Sequence, residues 1–207
     1  KNKKSEVFYT SETRRKLKYK RIMRRLYIII VLLLVLVSCG KNYSPRPYGY
    51  FRIDLPENTY TTFDNSYPYT FQMSENATII PRKETFWMDI YYPAFKARLH
   101  CSYKTVTGNF HELSEDSRSL VYKHAIRADA ITERPFENPQ AKVYGILYDI
   151  AGNSASPLQV VLTDSTRHFF RAALYFNAVP NSDSIAPVVA YFREELRQMV
   201  ETFEWKK

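Results

Sequence analysis

Glycine is scarce and scattered. The five glycines, at positions 40, 49, 108, 145 and 152 of 207, leave no glycine-rich loop able to cradle a phosphate. The four histidines, at 100, 111, 124 and 168, have no metal spacing such as HExxH, and the only cysteines are Cys39 and Cys101. A zinc site, a redox centre or a disulfide framework therefore has little to be built from. The GxSxG elbow of many serine hydrolases is missing. There is no internal repeat and no low-complexity segment. Excess positive charge is also missing from most of the chain. Residues 1–38 hold eleven Lys or Arg against two Glu, whereas residues 39–207 hold nineteen basic and nineteen acidic residues. The formal +9 of the whole chain thus sits ahead of residue 39, and nucleic-acid binding, which needs a basic track for phosphates, is excluded for the remainder. Finally, no apolar run reaches the roughly 20 residues that a helix needs to cross about 30 Å of hydrocarbon.

The longest apolar run is "LYIIIVLLLVLV", residues 26–37, behind Arg24-Arg25 and ahead of Ser38-Cys39. A basic flank, an apolar stretch of roughly 7–15 residues and a small-residue end describe a secretory signal better than a spanning helix or a core strand. Leu36-Val37-Ser38-Cys39 resembles a bacterial lipobox, in which cleavage precedes a cysteine that is then acylated, for example with palmitate. A single acyl chain gives marginal attachment at about 0.8 kcal/mol per buried CH₂, so two or three chains on Cys39 are what would hold a folded domain on a membrane. "MRRLYIII" is already a complete signal start, so initiation is expected at Met23. The expected organisation is an N-terminal extension and signal over residues 1–38, a lipidated cysteine and tether over 39–66, and a single globular domain over 67–207. The tether is stiffened by Pro45, Pro47 and Pro56, and its Tyr43, Tyr48, Tyr50 and Phe51 suit docking on the domain or on a partner.

Strands are predicted at residues 67–73, 86–93 and 95–104, then a helix over "NFHELSEDSRSLVYKHAIRA" with Asn109 and Glu112 as a capping pair. Its apolar stripe is Phe110, Leu113, Ser117, Leu120, Val121 and Ala125, with His124 at the rim. Strands follow at 129–137, 142–150, 158–164 and 167–177. A closing helix repeats Ile185, Val188, Val189, Phe192, Leu196, Met199, Val200 and Phe203 at helical spacing, with Asp183 or Ser184 as cap and Pro187 in its first turn. In "FKARLHCSYK" strict alternation puts Cys101 on the apolar face with Leu99 and Tyr103, opposite Arg98, His100 and Ser102. Cys101 is expected to pack as a small hydrophobe rather than act as a nucleophile. This order predicts an α+β fold, an antiparallel sheet of about six to seven strands with two helices packed on it. The order also resembles the topology of the photosystem PsbP and Mog1 group of small α+β domains.

Polar residues concentrate in "DIAGNSASPLQ", "TDSTRHFFR" and "VPNSDS". Ser154 or Ser156 with His168 and Asp164 could form a hydrolytic triad, but "TDST" is equally an ordinary hairpin turn. Arg171 shares a strand face with Phe169 and Tyr175, where a guanidinium can stack on rings, clamp a carboxylate or stand in solvent. Three functions remain: a binding component, a carrier or chaperone for a lipid or hydrophobic peptide, and a serine hydrolase. The absence of a catalytic constellation favours the first.

The blocks "SCGKNYSPRPYGYFRIDLP", "YPAFKARLHCSYK", "YGILYDIAGNSASPLQVVLTDS", "HFFRAALYFN", "PNSDSIAPVV" and "ETFEWK" together resemble the gliding motility lipoprotein GldD family of the Bacteroidetes. The resemblance runs from Cys39 to about Trp205, leaving residues 1–22 outside it. It implies a non-enzymatic cell-envelope lipoprotein linked to gliding and to type IX secretion, with no cofactor and no metal. Its expected partners are other envelope lipoproteins or subunits of that machinery. Motif residues carried over as candidate partner-binding positions are Arg52, Asp54, Gly152, Asn153, Ser156, Asp164, Ser165, His168, Arg171, Asn181 and Asp183. In this phylum surface export of lipoproteins goes with acidic residues after the cysteine. Residues 40–44, "GKNYS", have none, which favours a domain facing the periplasm, with the outer membrane as the expected anchor site.

Overall fold

A computed structural model describes residues 18–31, 54–123, 128–177 and 181–206. Cys39, Arg52, His124 and most of the tether lie outside these residues. The chain divides into two compact units, residues 1–47 and 48–207. In the first, residues 18–31 form helix α1, exposed throughout and holding the start of the apolar run. Among the described residues no helix is long and apolar enough to cross a membrane.

The second unit contains strands β1 (Tyr60–Phe63), β2 (Tyr69–Ser74), β3 (Thr78–Pro81), β4 (Met88–Tyr92) and β5 (Ala97–Thr105). Helix α2 (Phe110–Lys123) is followed by β6 (Ala128–Asn138), β7 (Val143–Gly152), β8 (Leu158–Thr163) and β9 (His168–Phe176). Helix α3 (Ser182–Glu201) and the short β10 (Glu204–Trp205) close the chain. Seven strands form one sheet in the order β3-β4-β5-β9-β8-β7-β6, and β1-β2-β10 form a second. Every pairing is antiparallel. This is the α+β class read from the sequence.

Three short strands are additional to that reading. β1 lies inside the stretch expected to be tether, β3 is only four residues long and β10 two. Strands this short carry too little alternation to register as a pattern. The expected strand at 67–73 forms as β2, but it pairs with β1 and β10 instead of joining the main sheet.

Alternation gives the large sheet two faces. Ala97, Leu99, Cys101 and Tyr103 on β5 stand beside Phe176, Leu174, Ala172 and Phe170 on β9. Together with Val160 and Leu162 on β8 and Met88, Ile90 and Tyr92 on β4, they pack under β2 and α3. Tyr69, Phe71, Phe170 and Phe203 are at most 1% exposed and pack against one another, some stacked and some edge-on or tilted, at 5.0–6.4 Å between ring centres. Each such ring contributes roughly 1.5–3 kcal/mol through burial. Cys101 is a free, buried thiol in this layer, as its place in the alternation predicts. Burial pushes its pKa up, with Asp89 adding to the shift, so it stays protonated.

On the opposite face α2 covers one half of the sheet. Leu113 packs with Val106 and Phe169, and Val121 packs with Tyr148 and Ile150. Leu120, expected in the stripe, is 41% exposed, because its position rotates beyond the edge of this narrow contact. The cap of α3 is Asn181, whose side chain accepts from the Ser184 backbone N–H, and not Asp183 or Ser184. Starting the helix at Ser182 places Pro187 beyond the first turn, and Phe203 lies past the helix end. α2 is described as far as Lys123 and β6 begins at Ala128, so the helix expected to run to residue 128 stops short of it, and His124 and Ala125 of that expected helix lie outside the described residues.

Candidate functional site

The polar loops gather into two constructions. In the first, the loop after β7 clasps the start of α3. Gly152 turns the chain with φ +96°, a conformation that suits glycine. Asn153 Oδ1 then accepts from the Ser182 backbone N–H at 2.9 Å, and Asn181 Oδ1 accepts from that of Ser184 at 3.2 Å. Both amides thereby satisfy orphan donors of the helix N-terminus. Asp183 sits exposed in the first turn of α3, where a carboxylate complements the helix dipole. Arg193 Nε donates to Asp149 Oδ2 at 2.7 Å, tying the same two elements together. Ser154 Oγ donates to the Ser156 carbonyl at 3.2 Å, and Ser156 is fully buried with its own hydroxyl unpartnered.

The second construction is the β8–β9 turn. Asp164 Oδ1 accepts from the backbone N–H groups of Thr166, Arg167 and His168, and Oδ2 accepts from the Thr166 hydroxyl. Burial opposes the charge, but these donors prevail and hold the carboxyl at about 2. Ser165 completes the turn with φ +64°. His168 Nδ1 lies 2.7 Å from the Tyr103 hydroxyl, and its ring stacks on Trp205 at 4.9 Å. Burial lowers its pKa, Asp164 opposing and Arg167 adding to the shift, so the ring is neutral at pH 7. The imagined triad is not assembled. Neither serine hydroxyl bonds His168, and the carboxylate of Asp164 is occupied by the turn's own amides.

Of the remaining candidates, Asp54 is exposed ahead of β1. Arg171 stands on the second sheet face between Ser102 of β5 and Val161 of β8. It is half-buried, and its Nη2 donates to Gln159 Oε1 at 2.5 Å. Its Nε has no partner, and neither has Nε2 of the 1% exposed Gln159. Burial lowers the guanidinium pKa, with Tyr175 partly offsetting this, yet an arginine remains a cation throughout the physiological range.

Beside it lies a centre that sequence reasoning missed. Asp89 on β4 is 2% exposed. Its Oδ1 is 2.7 Å from His100 Nδ1, and its Oδ2 is 3.2 Å from Arg82 Nη1 and 3.5 Å from Arg98 Nη1. Arg98 also lies 4.9 Å over the Tyr91 ring, and His100 lies 5.2 Å from that of Tyr175. A buried carboxylate flanked by two guanidinium groups and an imidazole ring is stabilised by them and costly to strip of any one. The available signal was a lone Asp inside the apolar block "FWMDIYY". Its partners come from β5 and from Arg82 just past β3, brought beside it by a register that no local pattern specifies.

This polar half of the sheet borders a cavity of about 200 Å³ under α2, lined by residues including Asp89, His100, Ser102, Lys104, Ser117 and Arg171. Among the described residues no three His, Cys, Asp or Glu side chains gather as metal ligands. On the other face, a void of about 10 Å³ between the sheet and α3 borders Ile90, Leu99, Phe192 and Met199.

A family model described as "gliding motility lipoprotein GldD" matches residues 40–205. No curated protein matches the chain.

Proposed function

The chain belongs to the gliding motility lipoprotein GldD family, and from that premise we propose that it is a non-enzymatic, interaction-bearing component of the gliding and type IX secretion machinery. Membership itself makes it a membrane-associated lipoprotein of the cell envelope and a gliding motility component. The finer reading is that Cys39 carries the acyl chains and the domain faces the periplasm from the outer membrane. There it docks other envelope lipoproteins or secretion subunits.

The observation that carries this reading is the family match across residues 40–205. The folded domain supports it. Asn153, Asp164 and Asn181 serve loop and helix architecture, and His168 is held by Tyr103 and Trp205. Such a scaffold suits a partner surface better than a reaction. The carrier reading gains no support from the side between sheet and α3, where the void of about 10 Å³ is far too small for an acyl chain.

The test is Cys39→Ala in a gliding host, scored by membrane fractionation and by secretion, with crosslinked pull-down of the wild type. The expected outcome is release of the variant from the membrane, lost gliding or secretion, and recovery of envelope lipoproteins or secretion subunits with the wild type. Normal gliding and secretion in a deletion strain, with no such partner recovered, would overturn the proposal.

A further inference from the structure

The cavity under α2 is an incomplete electrostatic arrangement. A half-buried guanidinium normally needs a counter-anion, since an uncompensated charge away from water is costly. Arg171 meets neutral groups instead, the amide of Gln159 and the hydroxyl of Tyr175, and its Nε is left without a partner. No carboxylate pairs with it among the described residues. Asp89 is already engaged by Arg82, Arg98 and His100. A second unpartnered group lines the same cavity from above: Ser117 of α2 is 4% exposed and its hydroxyl bonds nothing. Nε2 of Gln159, whose Oε1 accepts from Arg171, is buried and unpartnered as well, although Gln159 does not itself line the cavity. Buried polar groups in folded proteins are nearly always satisfied, so the two orphans on Arg171 and Ser117 in the lining of one cavity call for a ligand able to accept from them.

The rest of the lining narrows the ligand. Trp87, Leu113, Leu120 and Phe169 give an apolar wall. Arg82, Lys104 and Arg171 are cationic, but Asp89 and Asp116 also line the cavity, so a dianion is disfavoured against a single negative charge. A guanidinium fork matches the two oxygens of a carboxylate. At about 200 Å³, the space is smaller than a typical ligand pocket of about 300 Å³ or more.

We propose that this cavity binds a carboxylate carried on a short apolar body, with Arg171 clamping the carboxylate, Ser117 donating to it and Trp87 and Phe169 flanking the apolar part. Two sources share that chemistry: a small free acid, and the C-terminal residue of an extended peptide. The site does not depend on the interaction role proposed above.

The test uses the ¹⁵N-labelled full chain in non-ionic detergent, reading the arginine Nε–H signals. Hexanoate is titrated against hexanamide, and a tripeptide ending in free Leu against its C-terminal amide. The expected result is that at least one acid shifts the Arg171 Nε–H resonance saturably while its neutral amide does not. Arg171→Gln should weaken binding about tenfold or more, and Ser117→Ala, which leaves the fold least disturbed, by about threefold to tenfold. Hexanoate binding alone identifies a free acid, and tighter binding of the peptide acid identifies a chain end. Failure of both acids to move the Arg171 signal, equal binding by the amides, or unchanged affinity in the folded Ser117→Ala and Arg171→Gln variants would overturn the proposal.

Discussion

Replacing Asp164 by Asn separates a scaffold role from a docking role at a residue that the family motif alone leaves ambiguous. Asp164 Oδ1 accepts backbone N–H bonds from Thr166 at 3.0 Å, Arg167 at 2.7 Å and His168 at 2.8 Å, and Oδ2 accepts from the Thr166 hydroxyl at 3.0 Å. The side chain is only 7% exposed, so water screens these bonds little. Burial alone would raise the pKa, but the donors outweigh it and take the carboxyl from 3.8 to about 2. Because the folded value lies below the unfolded one, the ionised carboxylate stabilises the protein above pH 3.8, and that stability is lost as pH falls through about 2. At 1.36 kcal/mol per unit the shift corresponds to about 2 kcal/mol at pH 7. Asp164→Asn keeps the shape and removes the charge. It should therefore lower Tm by roughly 4–8 °C at neutral pH, taking about 2–4 °C per kcal/mol for a domain of this size. Urea unfolding followed through the fluorescence of Trp87 and Trp205 reads the difference directly. Near pH 2 the two proteins should converge. An equal loss at both pH values, or no loss at pH 7, would refute the reasoning. Partner capture lost with stability intact would make Asp164 a contact residue instead.

Glu195 has the opposite sign. It is 4% exposed on α3 with Oε1 unpartnered, and burial raises its pKa while the hydroxyls of Tyr60, Tyr191 and Tyr92 pull it down. Its stabilising neutral form is fully present below the ordinary value of 4.5, and its contribution is lost as pH rises through the higher folded value. Glu195→Gln should flatten that decline and exceed the wild type in urea stability at pH 8, by about 1–3 kcal/mol, with little difference at pH 4. Gly145→Ala should be severe, because a Cβ there would sit 2.0 Å from the Val161 carbonyl oxygen across the β7–β8 pair. The expected loss is about 4 kcal/mol or more, or failure to fold, by circular dichroism melts.

Local repetition decided how much of the fold could be read in advance. α3 and the strands β5, β8 and β9 repeat their pattern over six to twenty residues, and each forms where the pattern puts it. Cys101 and Arg171 likewise fall on the faces that alternation assigns. The short strands β1, β3 and β10 are held by partners far away in the chain. β10, for example, is fixed by pairing of Glu204 with Thr70 and Trp205 with Tyr69, a relation that no window of residues contains. The cap of α3 was misjudged by two or three residues for a similar reason. Asn181 competes with Asp183 and Ser184 on chemistry, and contact with the β7 loop through Asn153 and Ser182 favours the earlier start.

The same logic explains why the polar motifs misled and the quieter strand residues did not announce themselves. Asn, Asp, Ser and Gly cluster where a chain turns or a helix begins, because those residues satisfy stray backbone donors. A motif rich in them is therefore visible in sequence even when its work is architectural, as at Asp164 and Asn181. Asp89 and Gln159 are lone polar residues among the apolar residues of their strands, and Ser117 is a small residue filling the apolar stripe of a polar helix, so each alone reads as a tolerated exception. Only the sheet order β4-β5-β9-β8 brings Asp89, His100, Arg171 and Gln159 onto one face, with α2 laying Ser117 at the rim of their cavity. A buried polar residue on a strand carries a free-energy cost wherever it stands. Asp89 and Gln159 are buried on that face, with His100 and Arg171 half-buried beside them, so the donors left without partners there lie on the sheet beneath α2 rather than in the loops.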